Sequence, residues 1–309
     1  MKILITGGAG FIGSHVADLL IENNFDVSII DNLSSGKLEN INPKARFYKC
    51  DVRDSEIFKI IETEKPQIVI HNAAQMSVRN SVEDPVNDAS INILGGLNLL
   101  EACKKLKVEK VIFASSGGVV YGEQQSFPAD ENHPTKPISP YGVAKLSFEK
   151  YLFYYNYIFG LKYIALRYAN VYGPRQDPHG EAGVVAIFSR KLLAGGQPVI
   201  NGDGKQTRDY VYVKDVAAAN LSAIRNDFVG EINIGTGIET NVNDIFNILK
   251  EAARQTELGE VHAPAKEGEQ KRSVLSYEKA QAILGWKPKV KIKEGLTYTF
   301  EWFANMLKF

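Results

Sequence analysis

Thr6-Gly7-Gly8-Ala9-Gly10-Phe11-Ile12-Gly13 decides how the rest of this 309-residue chain is read. It follows an apolar run, Ile3 to Ile5, and opens a segment to Asn23 in which Ile12, Val16, Leu19 and Leu20 recur at helical spacing. The pattern predicts a strand that turns directly into a helix. The glycines of such a turn have separable jobs: one frees φ for a sharp reversal, one leaves backbone N–H groups bare to an approaching pyrophosphate, and one lets the helix lie close to the strand. The helix start, with unpaired N–H groups and a partial positive charge, is an anion site. Asp31 ends the next apolar run, Val27 to Ile30, at the spacing of a carboxylate that binds a ribose 2′-hydroxyl. Together the two signals predict NAD rather than NADP.

Further apolar runs follow at intervals that leave room for helices: Phe47 to Cys50, Ile68 to His71, Val111 to Phe113, Tyr163 to Leu166 and Ile232 to Ile234. This alternation predicts an α/β fold, a Rossmann-like doubly wound parallel sheet covered on both faces. Ligands of such sheets lie beyond the carboxyl ends of the strands. The polar signals fall there, with Asp51 and Val52 after the third run, Ala73, Ala74 and Gln75 after the fourth, and Ser115 and Ser116 after the fifth. Beyond Tyr172 the turn signals multiply. A strand-like stretch from Asp209 to Asp215 then leads into an alanine-rich helix, Val216 to Ile224. The expected division is 1–174 plus 209–237 for the dinucleotide, with a smaller interleaved C-terminal α/β substrate domain, 175–208 plus 238–309.

Thirty-six basic and thirty-six acidic residues cancel, so no global field draws nucleic acid or an anionic membrane. Cys50 and Cys103 are the only cysteines and lack zinc-ligand spacing, and the five histidines include no i,i+4 pair. No metal and no disulfide framework is expected, and the compartment is expected to be reducing. No run reaches the roughly 18 apolar residues of a membrane span. A cytoplasmic protein is the simplest expectation.

Ser139-Pro140-Tyr141-Gly142-Val143-Ala144-Lys145 reads as a helix start, with Ser139 as cap and Pro140 at the first helical position. Tyr141 and Lys145 are four apart and share a face. A phenol of reference pKa about 10 must fall by about 3 units, about 4 kcal/mol, to act as a base near neutrality. The ammonium and a cationic nicotinamide ring are expected to supply that. Ser116 is the positioned donor to the oxygen that is deprotonated.

With these residues in view the chain resembles the extended short-chain dehydrogenase/reductase family, most closely its UDP-galactose 4-epimerase branch. The ordered matches are TGGAGFIG at 6, Asp31-Asn32, Asp51-Val52, HNAAQ at 71, Asn92, SS at 115, YGVAK at 141, RYANVYGPR at 167, RDYVYVKD at 208 and LGWKP at 284. The resemblance implies that Ser116, Tyr141 and Lys145 are catalytic. It implies cofactor contacts from Gly7, Gly10, Phe11, Ile12, Gly13, Asp31, Asn32, Asp51, Val52, Ala73, Ala74, Gln75, Asn92, Tyr141, Lys145 and Tyr168. For the sugar nucleotide it implies Ser116, Tyr141, Asn170, Arg208, Lys271, Arg272 and Ser273, the arginines suiting a diphosphate because a guanidinium fork grips it bidentately.

The chain departs from the family pattern in three places. Counting back from Tyr121-Gly122 puts the catalytic Ser/Thr on Gly117, whereas counting back from Tyr141 puts it on Ser116, the reading adopted. Glu269 and Lys271 stand for a usual Asp and Arg, so the diphosphate contact belongs to Lys271, Arg272 or both. Asn72 replaces a usual leucine.

The reaction implied is inversion of C4 of a UDP-sugar, UDP-glucose and UDP-galactose with the N-acetylhexosamine pair as a possible extension, through a transient 4-keto intermediate. Related nucleotide-sugar enzymes compete: UDP-glucuronate 4-epimerases, 4,6-dehydratases and decarboxylases. The dehydratases and decarboxylases need added carboxylates just after the catalytic Ser/Thr, where this chain has Gly117 and Gly118, and Asp130-Glu131 reads as a solvated loop. A non-catalytic NAD(H)-binding regulator is the alternative of another class. Ser273 stands where a large aromatic narrows the pocket of enzymes restricted to plain hexoses, which predicts room for an N-acetyl group. The helix after Pro140, with Phe148, Tyr151, Phe153, Tyr154, Tyr155, Tyr157 and Phe159, carries more aromatic surface than one sheet-facing side can use, and a homodimer is expected.

Overall fold

The computed structural model describes residues 1–179, 183–265 and 270–306. Seven parallel strands form the central sheet: β1 (Lys2–Thr6), β2 (Asp26–Asp31), β3 (Arg46–Lys49), β4 (Ile68–His71), β5 (Lys110–Ser116), β6 (Lys162–Tyr168) and, much later in the chain, β10 (Gly230–Ile234). Their spatial order is β10-β6-β5-β4-β1-β2-β3, so the chain starts inside the sheet, winds to one edge, and returns past β1 to build the other. The reversal falls between β1 and β4, where Thr6 lies level with His71. A doubly wound sheet opens a crevice at such a point.

Alternation along β1 explains the two layers. Ile3 and Ile5 point into one core, against α1 (Phe11–Glu22) and α9 (Val213–Ile224), while Leu4 points into the other, against α2 (Glu56–Glu64), α5 (Gly96–Lys105) and α7 (Pro140–Phe159). Each fully buried Ile or Leu there contributes about 1.5–3 kcal/mol relative to exposure. Two short helices, α3 (Val78–Glu83) and α4 (Pro85–Ala89), and a π-helical turn, Ser90–Gly95, precede α5. A single turn, α6 (Gly117–Val120), follows β5 directly.

A smaller sheet flanks the strand ends. In it β9 (Thr207–Tyr212) is central, pairing with β7 (Asn170–Tyr172), β11 (Glu239–Asn241) and β13 (Arg272–Ser273), while β8 (Ile200–Asn201) pairs with β12 (His262–Ala263). Its core unites Phe188 of α8 (Val184–Leu193), Phe246 and Leu249 of α10 (Val242–Ala252), and Leu296 and Phe300 of α12 (Ile292–Met306) with Tyr172, Tyr210 and Tyr212. The boundary expected at 209 therefore falls inside β9. The alanine-rich helix also begins three residues earlier than its alanines suggest, at Val213, because Asp215 is drawn into its first turn and accepts Lys289 N and Val290 N at 3.0 Å each. These two bonds tie α9 to the segment after α11 (Glu278–Leu284).

Candidate active site

A cavity of about 580 Å³ lies over the strand ends at the reversal, within the size range of small-molecule and cofactor sites. Its floor is the glycine turn. Gly7 has φ +71°, a Cβ on it would stand 2.6 Å from Ala73 N, and one on Gly13 would stand 2.2 Å from Gly7 O, so only glycine permits this approach of turn, helix and β4. Gly10 caps α1 without a side-chain hydrogen bond and the first turn holds no acidic residue, which leaves its N–H groups to an anion. Phe11 and Ile12 complete this wall.

Asp31, 7 % exposed at the end of β2, accepts Ala9 N at 3.0 Å and Leu33 N at 2.8 Å, so its carboxylate is pinned at one end of the cavity. Asn32 and Asp51 line the same end and bond each other at 2.8 Å. Arg53 grips Asp51 and holds its carboxyl well below the usual range. Val52, Ala73, Ala74 and Gln75 also line the cavity, whereas Asn92 stands behind it and exchanges two bonds with Gln75, 3.0 Å from Gln75 N to its Oδ1 and 2.9 Å from its Nδ2 to Gln75 O. The backbone cradle, the pinned carboxylate and the uncapped helix fit NAD. Sequence reasoning passed over Ser34, Ser35 and Lys37, which follow Asp31 in an irregular loop, Asn40, at the end of the 3-10 turn after it, and Arg175, whose φ of +67° only the fold reveals. Asn72 lines the cavity with neither amide atom paired to protein, and nothing in the structure explains why the family's leucine is replaced.

Ser139 accepts Gly142 N at 3.1 Å and Pro140 opens α7, which sets Tyr141 and Lys145 on the cavity wall. Lys145, 4 % exposed, donates to Ala114 O at 2.8 Å and lies 5.5 Å from the Tyr141 ring centre. Burial pulls its ammonium down to about 8, against the partial support of Asp88 and Glu149. Burial, and after it the Asp88 charge, raise the Tyr141 phenol. Burial by the protein thus opposes ionisation of the phenol, which the ammonium and a cationic nicotinamide are together expected to favour. Beneath them His71, bonded to Thr6 Oγ1 at 2.7 Å, is kept neutral by burial, its pKa down to about 3. Tyr168 closes the cavity from β6 and bonds Asn220 at 2.8 Å.

The two counts for the serine part company here. A Cβ on Gly117 would run into Leu275 at 2.4 Å, so that position faces the core. Ser116 lines the cavity, and its Oγ and the Asn170 amide oxygen lie 3.8 and 3.6 Å from where a side chain at Gly118 would begin. Strand β5 is fixed from behind by Glu149, 0 % exposed, which accepts Ser115 Oγ at 2.6 Å and the Arg167 fork at 2.9 and 2.6 Å.

Of the expected sugar-nucleotide residues Ser116 and Tyr141 line this cavity, while Asn170, level with Tyr210 on β9, and Arg208, level with Ser273 on β13, belong to the small sheet and do not. Arg272 forms a two-pronged ion pair with Glu239 at 2.8 and 2.7 Å and lies over the Phe127 ring at 3.7 Å. Lys271 is exposed, and Ser273 is buried, 3 % exposed. Glu267 and Glu269 lie outside the described residues. Glu131 is not simply solvated, since it accepts Asn233 N at 2.7 Å. Among the described residues no cluster of side chains could hold a metal, and no helix is long and apolar enough to cross a membrane.

Residues 3–235 match the model of the NAD dependent epimerase/dehydratase family. The chain is 52% identical over 309 residues, 98% of each chain, to a putative UDP-glucose 4-epimerase of Methanocaldococcus jannaschii. It superposes on UDP-glucose 4-epimerase of Thermotoga maritima, solved with UDP-glucose, with a TM-score of 0.97 at 51% identity, covering 99% of this chain and 100% of that one. A UDP-N-acetylglucosamine 4-epimerase of Methanobrevibacter ruminantium M1, solved with UDP-N-acetylmuramic acid, matches with a TM-score of 0.94 at 38% identity over 99% and 98% of the two chains.

Proposed function

The chain belongs to the NAD dependent epimerase/dehydratase family, and on that premise we propose that it is an NAD-dependent enzyme that inverts C4 of a UDP-sugar, interconverting UDP-glucose and UDP-galactose through a 4-keto sugar. One observation carries the reading: Ser116, Tyr141 and Lys145 converge on the cavity that the glycine turn floors, with Gly117 and Gly118, not carboxylates, after the serine. NAD held in this cavity would supply the acceptor for the C4 hydride and its later donor. Tyr141 takes the proton of the 4-hydroxyl as C4 is oxidised and restores it after the keto sugar has turned. Lys145 holds its charge beside the phenolate, and Ser116 donates to the sugar oxygen. Dehydration or decarboxylation would need a further acid or base at 117–118, and Glu131 is already occupied with β10.

We assign the cofactor to 1–174 plus 209–237 and the sugar nucleotide to 175–208 plus 238–309, with Asn170 beside Ser116 at their meeting. The diphosphate candidates are Arg208 with Lys271, Arg272 or both. Ser273 gates the sugar 2-position, and the N-acetylated pair is accepted. A homodimer through α7 is supported by its exposed Val143, Tyr154 and Ile158 with Leu94 alongside, and a reducing, cytoplasmic setting by the two unbridged cysteines. The test is a panel of UDP-hexoses, UDP-N-acetylhexosamines and UDP-hexuronates with products separated by chromatography. UDP-glucose and UDP-galactose should interconvert. NAD bound tightly with no UDP-sugar turned over would favour the regulatory reading instead.

A further inference from the structure

Two carboxylates bear on the buried Lys145, and they are held differently. Glu149 sits one turn along α7 with both oxygens gripped by Arg167, so a guanidinium answers its charge. Asp88, 1 % exposed on α4, receives neutral donors: Gln75 Nε2 and Asn92 Nδ2, each 2.9 Å from Oδ1. Gln75 and Asn92 also bond each other twice, so the three side chains lock the loop after β4 to the π-helical turn. Such turns recur at functional places. Lys145 in turn donates to the neutral Ala114 carbonyl.

Ser115, Ser116, Lys145 and Tyr168 share the cavity wall with Tyr141, and the buried groups outside that wall are His71, neutral through burial, Glu149, matched by Arg167, and Asp88. The charge that bears on Tyr141 is that of Asp88, whose own carboxyl is pushed up by burial against the bonds from Gln75 and Asn92 and the charge of Lys145. The reaction itself is balanced. Before C4 is oxidised, a Tyr141 phenolate offsets a cationic nicotinamide; afterwards Tyr141 holds the proton and the ring is neutral. Lys145 is the charge left over at both stages, and an unanswered charge in a buried site is strongly disfavoured.

We infer that Asp88 is a positioning residue of the proposed reaction: it is the counter-charge that keeps the Tyr141–Lys145 site neutral throughout the cycle, and its carboxylate fixes Gln75 and Asn92 against the cofactor. The inference rests on the function proposed above. Asp88→Asn keeps an acceptor for both amides and removes the charge. Without that anion the phenolate of Tyr141 is favoured and the ammonium of Lys145 disfavoured. Both limbs of the kcat–pH profile should therefore slide to lower pH by about one unit. NAD should bind about tenfold more weakly while NADH binding is unchanged. Asp88→Glu, which keeps the charge but displaces it, should lower turnover and leave the limbs and the NAD to NADH ratio in place. A profile and ratio for Asp88→Asn that coincide with the wild type would overturn the inference. So would equal weakening of both nucleotides, or failure of both variants to fold, since each leaves Asp88 a structural role alone. Wild-type protein that turns over no UDP-hexose would instead sink the function, whatever Asp88 does.

Discussion

At the glycine turn, the groups that face the cavity are backbone atoms and short side chains at the ends of strands. In the small sheet, the groups that would face a sugar nucleotide are long side chains on paired strands, and one of them, Arg272, already has a carboxylate and a ring to hold. Backbone geometry at a strand end follows from where the apolar run stops, so its ligand contacts are set locally. Side-chain direction in β9 and β13 depends on which distant strand pairs at which register, and a guanidinium has several partners within reach. The first kind of site is rigid and intolerant of change. The second can lose a member and adjust.

The sharpest test of that contrast is at the chemistry, where the rigid half should show the largest effect. Tyr141→Phe keeps the ring in its buried place and removes the group that takes the proton, so turnover should fall by about 10²–10⁴-fold with NAD still bound. Steady-state assays with cofactor content measured on the same sample check this; near wild-type turnover would break the assignment. Gly7→Ala comes next. At φ +71° a methyl group is strained, and here it meets backbone at 2.6 and 2.8 Å that cannot step aside. The strain alone is about 1–3 kcal/mol, so NAD affinity measured by calorimetry should drop by about tenfold or more. Unchanged binding would mean that the turn is not built around the pyrophosphate.

What could be read in advance follows the same division. The strand runs ending at Asp31, His71 and Phe113, the turn at Gly7 and the Ser139 cap were legible, because each is written within a dozen residues and obeys one periodicity, although the fifth strand runs on through Ser116. Glu149 was not singled out, since its partners Ser115 and Arg167 lie 34 and 18 residues away and only the parallel pairing of β5 with β6 brings them together. Asp88 was passed over for a like reason: nothing in Pro85-Val86-Asn87-Asp88 says that the carboxylate will turn inward to Gln75 and Asn92. The ammonium four residues from Tyr141 is legible in the sequence, whereas the burial that raises its phenol is not.

The sugar half yields smaller effects. Ser273→Tyr places a ring where β13 runs beside Arg208. It should abolish turnover of UDP-N-acetylhexosamines while changing hexose turnover by less than about tenfold, since a pocket rejects an added group chiefly by lacking space for it. Competition between the two substrates in one assay reads the ratio directly. If the ratio does not move, Ser273 does not gate the 2-position.

The smallest effect expected is at Arg272, and it is the one that discriminates best between the two halves. Its ion pair with Glu239 is half exposed, with side-chain exposures of 49% and 28%, and pairs of that kind contribute about 0–1 kcal/mol. Arg272→Ala should therefore cost little stability. If the guanidinium stays on Glu239 and Phe127 when substrate binds, KM for UDP-glucose should rise by less than about threefold, within that same range. If instead substrate draws the fork away, the lost bidentate contact to a diphosphate is a charge-assisted one, worth about 1.5–3 kcal/mol or about 10–100-fold in KM. Glu239→Gln separates the cases further. It frees the guanidinium without removing it, so a fork that competes for the diphosphate should then bind UDP-glucose more tightly, whereas a fork committed to the small sheet should leave KM where it was. The stacking of the guanidinium on Phe127 is a second contact that substrate would have to displace in the first case.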